Sequence, residues 1–369
     1  MPNDFGRSRY RLLDFHNRRR LWQLGGIGLA IVCVIGLFAW AAGWLSPGRL
    51  TQERMIAAFT KANGLHSGFR YNHAKGVCVA GYFESNGKGA ALSKAVVFRL
   101  GRTPVFGRFA LAGGDPYMAD VSGAVRSMAL DFELTDGEVW RTGMNDIPVF
   151  VVRTPKGFYE QLLATRPDPR TGKPDPARIR AFLAGHPETV RAKQVIAAHP
   201  FSSGFANSIF NSLNAFRFIA PDGTVRAVRW SMVPEDAFEP DTPAAAQKQD
   251  RNYLFDTLID RIHDGPVRWH LVVTVAGQGD TIDDATIPWP ASRPHIDMGT
   301  LVLTSVSGEG HGRCRDINFD PLILPAGIAP SDDPILSARS AAYSRSFTLR
   351  EAEKKKPSAV RVATSGKGE

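Results

Sequence analysis

Short runs in which apolar and polar positions alternate occupy much of the chain between residues 73 and 150. A period of two is typical of β-strands that bury one face, and the Gly, Pro and Asp residues between the runs indicate turns. A second group of runs follows residue 214 and begins with a hairpin whose turn is Pro-Asp-Gly at 221–223. The runs predicted as strands are 77–84, 95–100, 104–111, 127–134, 147–152, 214–234 (a hairpin), 267–277 and 298–306.

Apolar residues recur at helical spacing in four shorter stretches, 50–62, 157–164, 176–186 and 188–198. The strand runs otherwise follow one another without helices between them, which favours an antiparallel sheet over βαβ units. Closing such a sheet into a barrel removes its exposed edges. The sequence therefore predicts an α+β fold, a large antiparallel β-barrel with added helices.

An uncharged apolar run at residues 24–45 precedes this region. As a helix it would be about 33 Å long, enough to cross a hydrocarbon core of about 30 Å. Arginines at 18–20 come before it, so the positive-inside rule predicts a cytoplasmic N-terminus and a folded domain on the periplasmic, extracytoplasmic side of the cell inner membrane. A cleaved signal peptide stays open as the alternative, because Ala-Trp-Ala at 39–41 fits a small-x-small cleavage pattern.

The predicted organisation has four parts. These are a basic cytoplasmic segment (1–21), a single-pass transmembrane anchor (22–45), one folded domain (46–350) and a flexible polar tail (351–369). Hydrophobic residues make up 43% of the chain and charged residues 22%, as is usual for a globular protein. The net charge of +9 comes largely from basic residues near both chain ends, and no nucleic-acid-binding motif occurs, so no nucleic-acid partner is predicted.

The three cysteines stand at 33, 78 and 314, and the first lies inside the apolar run. Two remaining cysteines are too few for a disulfide framework, and His311 and Cys314 lack a second pair of ligands for a metal site. Neither a disulfide framework nor a cysteine metal site is therefore expected. The glycine-rich loops that bind nucleotide phosphates are also absent from the sequence.

Several motifs, in a consistent order between residues 69 and 350, resemble the haem catalases. They are RYNHAKG (70–76) followed by GYFE, TPVFGRFALAGG (103–114), GMNDIPVFVVRTPKGF (143–158), NAFRFIAPDG (214–223), FDPLILPAGI (319–328) and RSAAY (339–343). The resemblance is closest to the shortened catalase-related peroxidases, because larger catalases continue into further domains. It implies a catalase-like barrel and haem b, an iron cofactor, in the 46–350 domain.

The resemblance also implies roles for individual residues. His73 stands at the distal histidine, which would move a proton between the two peroxide oxygens. Tyr343 stands at the iron ligand; a tyrosine that binds iron does so as phenolate, and a guanidinium four residues earlier on a helix would stabilise it. The other implied residues are Asn145 as the distal asparagine, Phe158 as an aromatic facing the haem, Arg70, Arg108 and Arg350 as partners of the haem propionates, and Arg339 as the partner of Tyr343.

Two departures from the family pattern stand out. The family catalases carry a serine after Arg-Phe that orients the distal histidine, and here Ala110 follows Arg108 and Phe109. Counting back from Pro148 also leaves open whether Asn145 or Asp146 takes the asparagine position. An amide can donate a hydrogen bond to peroxide and an ionised carboxylate cannot, which favours Asn145.

The function implied by the resemblance is a haem peroxidase that reduces hydrogen peroxide, or organic peroxides, with an electron donor through a ferryl intermediate. A true catalase, which disproportionates hydrogen peroxide, is the first alternative. A haem-binding membrane protein without turnover is the second. The sequence identifies neither the electron donor nor the oligomeric state, and it is compatible with a homo-oligomer.

Overall fold

The computed structural model describes residues 8–41, 49–242, 251–310 and 312–362. The chain divides into two compact units, Met1–Thr51 and Gln52–Glu369. The first unit contains helix α1, Ser8–Ala41. Its stretch Arg20–Ala41 has a mean hydropathy of 2.3 and is long and apolar enough to cross a membrane, a test that an N-terminal signal sequence also passes. Residues 42–45 of the predicted anchor lie outside the described part of the chain.

The second unit is built around an antiparallel barrel. Strands β1, β2, β3, β4, β5, β7, β8 and β9 pair in that order, and β9 pairs back with β1 to close the ring. Strands β6 and β10 extend one edge of β7. The strands are β1 Gly76–Ser85, β2 Gly101–Leu111, β3 Arg126–Glu133, β4 Val139–Asn145, β5 Phe210–Asn211, β6 Phe216–Ile219, β7 Val225–Pro234, β8 Val267–Val275, β9 His295–Gly308 and β10 Ile328–Pro330.

Helices pack outside the barrel. Three of them begin with proline in the first turn after a residue whose side chain accepts a backbone N–H bond, namely Thr154, Asp175 and Asp333, and such caps fix where a helix starts. Helix α2 contacts both α3 and α7. The helices are α2 Gln52–Asn63, α3 Pro155–Thr165, α4 Pro176–Gly185, α5 Pro187–Ala197, α6 Tyr253–Asp264 and α7 Pro334–Glu351.

The interior of the barrel is filled by alternate side chains of the strands, many of them aromatic. Trp140, Trp230 and Trp269 are almost fully buried, and the rings of Phe132 and Trp140 stack with centroids 4.6 Å apart. This interior is a packed core, as is common for a barrel of eight strands. Space for a ligand is therefore expected between the barrel and its helices.

The predicted α+β antiparallel barrel is confirmed, and several local predictions are wrong. Residues 95–100 contain a 3₁₀-helix, Val96–Phe98, in place of a strand, and residues 147–152 are irregular. The strand in that region is β4, which the sequence pattern did not predict. Within the predicted tail, Val360 is fully buried in the core, and residues 363–369 lie outside the described part of the chain.

No disulfide framework is expected from the sequence, and the described residues contain a single disulfide that the cysteine count does not predict. Cys78 in β1 and Cys314 form a disulfide, with Cα atoms 5.4 Å apart and a sequence separation of 236. Cys314 lies in the 3₁₀-helix Arg313–Asp316, and both cysteines are buried. The bond therefore ties that short helix to the barrel wall.

Candidate active site

A cavity of about 500 Å³ lies between the outer face of the barrel and helices α2, α3 and α7. This volume is in the usual range for a site that holds a cofactor or a small ligand. The apolar part of its wall comes from α2 and α3, with Met55, Ile56, Phe59 and Leu162. Its wall includes seven of the eight residues that the sequence singles out: Arg70, His73, Arg108, Asn145, Phe158, Arg339 and Tyr343.

His73 lies in a tight turn just before β1, with a left-handed backbone conformation (φ +55°). Non-glycine residues adopt this conformation rarely, and it persists where the surroundings impose it. Here both neighbours are tied to Gly113: the Gly113 N–H donates to Asn72 Oδ1 at 3.0 Å, and the Ala74 N–H donates to the Gly113 carbonyl at 2.9 Å. These bonds direct the imidazole towards the cavity.

The His73 imidazole is held in its neutral form. Burial, together with the nearby positive charges of Arg108 and Arg339, lowers the pKa of His73 from 6.5 to about 3, and a backbone hydrogen bond with Leu111 opposes this shift. A neutral imidazole has one ring nitrogen free to accept a proton. His73 is therefore equipped to act as a base over the physiological pH range.

Asn145 stands beside His73, joined to it through Ser127. The Ser127 hydroxyl lies 3.1 Å from His73 Nδ1 and donates a short hydrogen bond to Asn145 Oδ1. All three side chains line the cavity. The three residues thus form one hydrogen-bonded row on a single wall.

Asp146, the other candidate for the asparagine position, is turned away from this wall. Its carboxylate accepts the Arg126 backbone N–H at 2.8 Å and lies 3.4 Å from Arg126 Nη1, on the wall of a separate surface pocket. Burial raises the pKa of Asp146 to about 7, although Arg126 opposes the shift. The structure brings Asn145, and not Asp146, next to His73.

Two arginines of the cavity wall are held in place by neighbouring groups. Arg70 Nη2 donates to the carbonyls of Cys314 and Ile317 at 3.0 and 3.1 Å, so the loop fixed by the disulfide holds this side chain. Arg108 Nε donates to Glu309 Oε1 at 2.5 Å. A Cβ on Gly76 would stand 2.5 Å from Arg108 Nη2, so glycine is required there to leave room for the guanidinium.

Arg350, the eighth residue, lies behind the wall with its guanidinium 5.4 Å from the ring centroid of Phe347, a wall residue. Burial lowers the pKa of both Arg350 and Arg70, and each feels the positive charge of Arg108, with Glu309 opposing. Among the described residues no acceptor meets Arg70 Nε or Arg350 Nε and Nη2, although all three atoms are buried. Arg70 and Arg350, which have spare donors, and Arg108 beside them form a cationic cluster suited to binding an anion.

The phenol of Tyr343 lies on α7 and reaches into the same cavity. Arg339, one turn earlier, lies 3.5 Å from its oxygen through Nη2. The same guanidinium donates to the Gly143 carbonyl at 2.9 Å and to Asn214 Oδ1 at 2.7 Å, which leaves it little freedom. This arrangement presents one phenol oxygen, beside a fixed cation, as a ligand for a hard metal ion such as ferric iron.

Phe158 completes the set on α3. Its ring packs against Phe59 and Phe150 with centroids 5.8 and 5.7 Å away. The cavity thus combines an apolar aromatic wall, a cluster of three arginines with Glu309 as a carboxylate partner, and a phenol. These are the features expected of a pocket for an iron porphyrin that carries carboxylate side chains, the group implied by the sequence resemblance.

Sequence reasoning missed three contributors to the site, namely Ser127, Glu309 and the disulfide. Ser127 becomes visible only through strand register, because Ser127 pairs with Asn145 across β3 and β4. Glu309 lies far along the chain from the arginine it binds, and a local motif does not reveal such a pair. Of the three, only the disulfide has a signal in the sequence, because two cysteines, an even number, remain once Cys33 is set aside.

Comparisons with known proteins bear on the family to which the chain belongs. The family model described as Catalase matches residues 52–356. A "Catalase-related peroxidase" of Synechococcus elongatus is 37% identical over 90% of this chain and 98% of its own, and one of Mycolicibacterium paratuberculosis is 34% identical over 82% and 96%. A "Catalase" of Pseudomonas aeruginosa is 28% identical over 74% of this chain and 55% of its own.

Solved structures show the same fold. Catalase A from Saccharomyces cerevisiae matches with a TM-score of 0.69 at 22% identity over 76% of this chain, and a fungal catalase matches with a TM-score of 0.68 at 21% identity. The chain spans about three fifths of the length of these two structures.

Proposed function

The chain belongs to the catalase family, and from that premise we propose that it is a haem-dependent peroxidase that reduces hydrogen peroxide, or organic peroxides, with an electron donor. The peroxidase activity is favoured over catalase activity because the relatives matched over nearly their whole length are named catalase-related peroxidases. The observation that carries the proposal is one cavity in which neutral His73 and Tyr343 both line the wall.

The family implies haem, and the proposed form is haem b. The phenol oxygen of Tyr343 would bind the iron and Arg339 would stabilise the phenolate. The unmatched donors of Arg70 and Arg350, with Arg108 beside them, fit the two carboxylates of such a group, since guanidinium groups bind carboxylates well. Phe158 would cover part of its apolar face.

The protein's own contribution to the chemistry comes from His73 and Asn145 on the cavity wall. When bound, the cofactor supplies the site at which the peroxide O–O bond is reduced. His73 accepts the proton from one peroxide oxygen and returns it to the other, so that the departing oxygen leaves as water. Asn145 offers its amide N–H groups to the peroxide, and the apolar side chains of α2 and α3 limit the entry of water.

Oxygen release and donor oxidation, measured together on the haem-loaded protein, test this proposal. We expect rapid oxidation of an added phenolic donor by hydrogen peroxide with little oxygen evolved. Oxygen evolution without any donor would identify a true catalase. Binding of haem with neither activity would identify a haem-binding protein without turnover.

We place the folded domain outside the cytoplasm, held at the inner membrane by α1. The stretch Arg20–Ala41 supports an anchor by length and composition, and arginines precede it. The Cys78–Cys314 disulfide independently supports an oxidising compartment, because disulfides rarely persist in the cytosol.

The anchor gives a direct prediction. The full chain is expected to sediment with membranes and to resist extraction by high salt, and a protease added outside the cytoplasmic membrane should digest the folded domain. A chain lacking residues 1–45 should be recovered in the soluble fraction with the same haem spectrum. A mature N-terminus near Ala42 in the full-length product would show instead that the segment is removed as a signal sequence.

A further inference from the structure

The hydroxyl that orients His73 comes from an unexpected strand. Across the barrel wall, the register pairs Ala110 of β2 with Ser127 of β3, and Ser127 with Asn145 of β4. The three positions therefore form a row across the strands below the His73 ring. The family pattern expects its serine at position 110, and this chain has the hydroxyl one strand further along.

The donors and acceptors of this row fix its direction. A serine hydroxyl has one hydrogen to donate, and an amide oxygen can only accept. The contact of Ser127 Oγ with Asn145 Oδ1 therefore uses the hydroxyl hydrogen. The contact with His73 Nδ1 at 3.1 Å must then be donated by the imidazole. A neutral imidazole with its proton on Nδ1 leaves Nε2 as the free base.

We propose that Ser127 is a positioning residue that sets two groups at once, the tautomer of His73 and the orientation of the Asn145 amide. With Oδ1 bound to Ser127, the amide N–H groups of Asn145 are left to face the cavity, where a peroxide oxygen needs donors. The inference rests on the proposed function for its consequence in turnover. The tautomer itself is a property of these three side chains.

The burial of Ser127 makes this role sensitive to substitution. Ser127 is 8% exposed. Its hydroxyl oxygen accepts from His73 Nδ1, and its hydroxyl hydrogen is donated to Asn145 Oδ1. Removing the hydroxyl takes away the shared partner of Nδ1 and Oδ1. The amide of Asn145 is then free to turn, and among the described residues the ring of His73 keeps only its hydrogen bond with the Leu111 backbone. Losing the orienting partner of a functional histidine commonly costs about 10–100-fold in activity.

The first test reads the tautomer without turnover. The protein is loaded with diamagnetic gallium protoporphyrin and labelled with ¹⁵N-histidine, and His73 is assigned by comparison with His73→Asn. We expect the parent to carry its imidazole proton on Nδ1, and Ser127→Ala to show a mixture of tautomers. A parent protonated on Nε2, or a tautomer unchanged in Ser127→Ala, would overturn the proposal.

The second test moves the hydroxyl back across the strand pair. In stopped-flow mixing with hydrogen peroxide, haem-loaded Ser127→Ala should react about 10–100-fold more slowly than the parent, with unchanged haem content and Tm. The double variant Ala110→Ser/Ser127→Ala should recover most of the rate. Ser93→Ala, which changes a buried, hydrogen-bonded serine outside the cavity wall, should leave the rate unchanged.

A loss of rate that Ala110→Ser does not recover would assign Ser127 a packing role and overturn the proposal. The two tests also separate this inference from the proposed function. If the parent fails to reduce peroxide while its His73 tautomer depends on Ser127, the proposed function fails and the assignment of Ser127 stands.

Discussion

Tyr343→Phe is expected to bind haem more than about 100-fold more weakly than the parent and to lose the ferric spectrum of a phenolate-ligated iron. Tyr343 is the phenol that the cavity wall offers next to a fixed guanidinium, and phenylalanine keeps the ring while removing the ligand oxygen. Haem titration followed by absorbance gives the affinity, and electron paramagnetic resonance of the ferric state reports the ligand.

Two companion variants make this result specific. Arg339→Ala should keep the ligand but weaken haem binding by about 10–100-fold, as expected when the partner of a metal ligand is lost. Tyr253→Phe removes a buried phenol oxygen that has no hydrogen-bond partner among the described residues, so it should behave as the parent. Phenolate signals that survive in Tyr343→Phe would place the iron on another residue.

His73→Ala and His73→Asn are expected to retain haem and fold but to react with hydrogen peroxide about 10²–10⁴-fold more slowly, the usual contribution of a general acid–base group. Asparagine tolerates the left-handed backbone of this position better than alanine, so agreement between the two variants excludes backbone strain as the cause. The first reaction with peroxide should slow, because that reaction needs a proton moved between the peroxide oxygens.

Stopped-flow mixing with peroxide measures that step, and a later addition of donor measures the reduction that follows. Haem content and Tm are recorded alongside, and His263→Ala, which changes an exposed histidine on α6, is the control. A folded, haem-replete His73 variant that reacts with peroxide at the parent rate would make His73 a structural residue.

The sequence predicted the fold class well because its evidence was local. Alternating strands such as β7 and β8 bury one face of each strand, so the period of two can be read within a few residues. The pattern failed at residues 147–152, where a continuous apolar run belongs to a loop whose Val149 and Val152 are fully buried. Hydrophobicity reports burial there, and it does not distinguish a buried loop from a strand.

The residues of the site also fall into two groups, those that a local motif reveals and those that it does not. Arg70 and His73, or Arg339 and Tyr343, are close in sequence, so a motif can carry each pair. Ser127 acts on His73 from 54 residues away, and Glu309 acts on Arg108 from 201 residues away. Such contacts depend on strand register and on loops that meet in space, which a single sequence does not encode in any short pattern.

The disulfide affects the order of the steps by which the folded, haem-loaded domain is assembled. Cys314 follows Cys78 by 236 residues, so the bond forms only after most of the domain has been synthesised. The carbonyls that hold Arg70 belong to the loop that this bond secures. The cation cluster is therefore assembled late, and cofactor insertion is expected to follow oxidation of the cysteines. Thiol oxidation would then precede haem binding, so that chains without the disulfide bind haem poorly.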